Sequence, residues 1–113
     1  MTVTINGEKG ILVNGAYTET VVTSTANSYA VNPANGTIHH IAPASGALTL
    51  TFDAMGNGQG VTLMIIAPST VSFPAGTKFI GGAAPVLSAT NPTVLSVIKI
   101  AGTLYVMRAG ELS

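Results

Sequence analysis

Charged side chains are scarce in this chain. Asp, Glu, Lys and Arg make up 7% of its 113 residues, against about 25% in ordinary soluble domains. The four basic residues balance the four acidic ones, giving a formal net charge of zero and a mean hydropathy of +0.53. Four scattered cations give nucleic acid no electrostatic footprint, because phosphate binding draws on clustered Lys and Arg. So neutral a surface also cannot hold copies apart by repulsion, since low net charge and contiguous apolar patches both promote association. Much of the surface is therefore expected to be buried against other chains.

Cysteine is absent, which removes disulfides and thiolate metal sites. The longest apolar run, LMIIA at 63–67, is far shorter than the ~20 residues that cross a bilayer, so no membrane partner is expected. MTVTINGEKG has neither the basic start nor the apolar core of a secretory signal, and assembly in a reducing cytoplasm is the expectation. Groups that do chemistry are equally sparse. The acids are Glu8, Glu19, Asp53 and Glu111, and no spacing pairs them as glycoside hydrolysis requires. Ser, His and Asp occur without a nucleophile-elbow pattern to give them roles.

Three short motifs weaken on inspection. His39 and His40 are adjacent, so on a strand they face opposite ways and cannot chelate one ion together; at most one of them could meet symmetry mates on an oligomer axis. GNGQG at 56–60 looks like a phosphate loop, but VTLMII follows it rather than a helix, so it reads as a turn between strands. NGT at 35–37 matches a glycosylation acceptor, which carries no meaning in a protein assembled in the cytoplasm. No catalytic residue, cofactor or metal is expected, and the chain is read as a non-enzyme.

What the sequence does hold is β-structure. Thr and Val abound, Gly, Pro, Asn and Ser recur every few residues, and no long stretch has apolar residues at helical spacing. TVTINGEKGILVNG reads as two strands around a turn, and ETVVTS as a third. STANSYAVNPANG at 24–36 is polar and turn-rich and reads as an extended connection. A boundary is placed there: residues 1–36 as an N-terminal docking segment, residues 37–113 as a compact β-module. ALTLTF puts Leu48, Leu50 and Phe52 on one face. VTLMIIA reads as a central strand covered on both faces, and Ala101-Gly102 as the turn of a hairpin between TVLSVIKI and TLYVM. The predicted fold is all-β, a small antiparallel sandwich or barrel-like module with an extended N-terminal segment.

FPAGTKFIGGAAPVLS at 73–88 is turn-rich yet apolar. The residues before Pro74 and Pro85 are pushed to extended conformations, while Gly76, Gly81 and Gly82 can take positive φ and reverse the chain. A rigid loop folded under its own apolar residues is predicted, with Phe73 and Phe79 plugging one end of the core and Lys78 either in solvent or capping a carbonyl.

The order of a strand, Phe73-Pro74, Lys78-Phe79, Gly81-Gly82, Pro85, Leu87, Val94-Leu95 and then Gly102 with Tyr105 resembles a module of tailed-bacteriophage virion structural proteins. The resemblance spans roughly residues 37–109. Relatives in that group often carry Trp where this chain has Phe73 and Phe79, and an extra aromatic where it has Leu104. The resemblance implies a non-enzymatic, usually trimeric β-module. The chain's shortness favours a small capsid decoration or cement protein, a homotrimer docked on the major capsid protein or another virion protein and located in the virion. The alternative is a tail-fibre or tail-tip module that binds host surface receptors.

Overall fold

The computed structural model describes residues 2–6, 10–14, 20–66, 68, 70–88 and 90–111, and every regular element among them is a β-strand. β1 (Thr2–Asn6) and β2 (Gly10–Asn14) form the expected antiparallel pair, Thr2 facing Asn14 and Asn6 facing Gly10.

From Val22 onward the chain alternates between two sheets. β3 (Val22–Ser24), β5 (Ile38–Ile41) and β7 (Gly60–Ile66) lie parallel in one, while β4 (Ser28–Ala30), β6 (Ala47–Thr51) and β8 (Thr70–Ser72) lie parallel in the other. Each successive strand pair makes one coil, and the coils stack in the arrangement of a β-solenoid. The hairpin of β10 (Pro92–Ile100) and β11 (Thr103–Glu111) is laid antiparallel on β7, and β9 (Lys78–Phe79) runs parallel beside β11. The first sheet thus grows to six strands, ordered β3-β5-β7-β10-β11-β9, while the second stops at three.

This architecture replaces the predicted antiparallel sandwich or barrel. Parallel neighbours need a crossover, and here the crossover is a strand of the opposite sheet. Polar corners between strands hand the chain across instead of folding it back. At one corner Asn27 donates from Nδ2 to the carbonyls of Ser45 (2.9 Å) and Ala47 (2.5 Å), and its Oδ1 accepts from the Ser45 N–H (3.3 Å). One side chain thereby ties the first coil to the second. At another, Asn32 Oδ1 accepts from the Ala34 N–H while Asn35 and Gly36 close turns on the carbonyls of Asn32 and Pro33.

The segment from Val22 to Gly36, read from sequence as part of a docking arm, belongs to this body. It supplies β3 and β4, and Val31 is fully buried in the core. Inward rows run across the six-stranded sheet: His39, Leu63 and Leu95; Ile41, Ile65 and Thr93; Val61, Val97 and Val106. Leu48 and Leu50 of β6 oppose them, and Phe52 and Met55 complete the cluster. Leu48, Leu50 and Phe52 are buried as their alternation predicts. β7 is central as expected, but covered on one face only: Val61, Leu63 and Ile65 are buried, Met64 and Ile66 half-buried and Thr62 exposed.

In the loop after β8, Phe73 and Phe79 meet edge to face, centroids 5.3 Å apart, and pack on the core. Gly76, Gly81 and Gly82 take positive φ and Lys78 is exposed, as the sequence predicts. Ile80 and Val86 depart from it, being 63% and 85% exposed. Because the Phe79 ring is only partly covered, Phe79→Ala is expected to cost about 2 kcal/mol, below the ~3–5 of a fully buried ring. An unchanged melting temperature would show that the aromatic pair does not hold the loop. The β10–β11 turn is the expected hairpin, with Ala101 and Gly102 at φ 50° and 81°, the signature of a two-residue turn matched to strand twist. The Gly102 N–H donates to Asn57 Oδ1 at 2.7 Å, tying this turn to the loop before β7.

Candidate interaction face

The two histidines separate as strand alternation demands. His39 points into the core, fully buried, while His40 lies on the outer face, half-buried. His39 Nε2 lies 2.8 Å from the Gly36 carbonyl oxygen, an acceptor only, so Nε2 carries the proton. His39 Nδ1 is then the acceptor for the Tyr29 hydroxyl at 2.6 Å. Burial raises the Tyr29 pKa above its usual value, since phenolate would be poorly solvated there. The pair closes the polar demands of the first two coils. Tyr29→Phe keeps the ring and removes the donor, so it is expected to cost about 1–3 kcal/mol for a buried acceptor left unpaired. Thermal unfolding checks this, and an unchanged midpoint would mean that Nδ1 finds another donor.

The outer face of the six-stranded sheet is different in kind. Its registers place Thr23, His40, Met64, Val94 and Gly110 in one row, Ile38, Thr62, Ser96 and Met107 in the next, and Gly60, Ile98 and Tyr105 in a third. Ile38, Ile98 and Met107 are 40%, 41% and 45% exposed. No charged residue occupies these outward registers of β3, β5, β7, β10 and β11. The first one met is Lys78 on edge strand β9, in register with Tyr105. Arg108 sits where the β10–β11 register shifts, opposite the inward Leu95. An uncharged face with exposed large apolar side chains is chemically suited to packing against another protein surface. The face comes from strands far apart in the chain, so no one stretch of sequence contains it. The available signal was the outward Met64, Ile66 and Ile98, apolar where a solvated sheet face would alternate to polar.

The opposite sheet turns Ser28, Ala30, Thr49, Thr70 and Ser72 outward, all small and all but Ala30 polar. At the end of the coils, a shallow cleft of about 290 Å³ lies among Asp53, Pro74, Thr77, Lys99 and Thr103. Its polar groups are partly satisfied from within: the Lys99 ammonium donates to the Met55 carbonyl at 3.0 Å and the Thr77 hydroxyl to the Pro74 carbonyl at 2.7 Å. Among the described residues, no group of three His, Cys, Asp or Glu side chains is placed to hold a metal ion. No known protein family, curated protein or solved structure matches this chain.

Proposed function

We propose that this chain is a structural protein of a bacteriophage virion, a small homotrimeric decoration protein that docks on the major capsid protein and stabilises the head. The observation that carries the reading is the uncharged outer face of the six-stranded sheet, a surface built for burial against protein. Two sheets closed over a contiguous apolar core agree with a structural role. The series from Phe73 to Tyr105 that resembles phage virion modules supplies the biological setting. With so few charges, docking draws on apolar contact and strand pairing, and salt changes it little.

The test is reconstitution. Purified protein added to heads assembled without it is expected to bind at physiological and at high salt alike, and to raise the temperature at which the heads release DNA. Failure to bind heads would overturn the decoration reading. The terminal cleft beside Asp53 and Lys99 favours the second reading, a tail module that grips host receptors; binding to host cells without binding to heads would establish it.

A further inference from the structure

We infer that the outer face of the six-stranded sheet is where copies of this chain meet. The inference rests on the homotrimer reading above and names its surface. Size supports a second copy as the occupant. Six strands at ~4.8 Å spacing and roughly 20 Å mean length present about 600 Å² in projection, toward the ~800 Å² that a standard interface takes from each partner, so two neighbours around a three-fold axis cover the face between them. Charge supports it too. A charged partner would be stripped of water against Ile38, Met64, Ile98 and Met107 with nothing to pair with, whereas the same face of another copy brings no charge.

Sedimentation velocity at micromolar concentration tests it. The wild type is expected to be oligomeric at neutral pH. Ile98→Asp and, independently, Met107→Lys are expected to be folded by circular dichroism and monomeric, while Thr49→Asp on the opposite sheet stays assembled. A wild-type monomer overturns the homotrimer reading and this inference together. An oligomer that survives both Ile98→Asp and Met107→Lys overturns the choice of face alone.

Discussion

A chain beginning at Asn35 is expected to lose the cooperative fold. Such a truncation removes β3 and β4, so β5 and β6 become exposed sheet edges. It takes Val31 out of the core, a loss of about 1.5–3 kcal/mol. It also takes away Tyr29, leaving the buried His39 Nδ1 without its donor, a further ~1–3 kcal/mol. Parallel backbone bonds vanish as well, among them Thr49 N–H to Asn27 C=O (2.8 Å) and Ala42 N–H to Ser24 C=O (2.8 Å), each worth about 0.5–1.5 kcal/mol net. Together these rival the ~5–15 kcal/mol that separates a folded domain from its unfolded chain. Circular dichroism and thermal melting of the truncated protein check this. A sharp transition near the wild-type midpoint would restore residues 37–113 as a self-standing module.

The second large effect is expected at the middle of the six-stranded sheet. Leu63 is fully buried on β7, between His39 and Leu95 in its row. The strands on either side fix its neighbours, so the site cannot collapse around a missing isobutyl group. Leu63→Ala should cost about 3–5 kcal/mol, the upper part of the range for core leucines. Met64, next in sequence, points to the outer face and is half-buried, and Met64→Ala is expected to leave the melting of a separated chain within about 1 kcal/mol of the wild type. Equal destabilisation by the two would contradict the inward and outward assignment of β7, and with it the register on which the interaction face is built.

Strand content was legible in the sequence because period-2 alternation and turn residues act locally: ALTLTF, the Ala101-Gly102 turn and the opposed directions of His39 and His40 all follow from neighbours in the chain. Pairing partners were not. Alternation is the same whether a strand lies parallel or antiparallel to its neighbour, so nothing in IHHI or GVTLMII says that these strands pair side by side across a strand of the other sheet. For the same reason STANSYAVNPANG read as a connection. Its strands are three residues long, and their stability comes from β5 and β6, which lie further along the chain. The phenylalanine plug was legible from Phe73 and Phe79 flanking a glycine turn, whereas the exposure of Ile80 and Val86 was not, since apolarity alone does not say which side of a loop faces the core. The interaction face was visible only as an excess of apolar residues until the sheet registers placed Ile38, Ile98 and Met107 on one surface.

The reading as a decoration protein stands or falls on where the chain sits. Imaging intact particles by cryo-electron microscopy, with and without the gene for this chain, measures that directly. The account predicts extra density on the head surface in clusters of three copies, the six-stranded sheets turned toward one another within each cluster. Heads identical with and without the gene, with the density lost only from the tail, would contradict it.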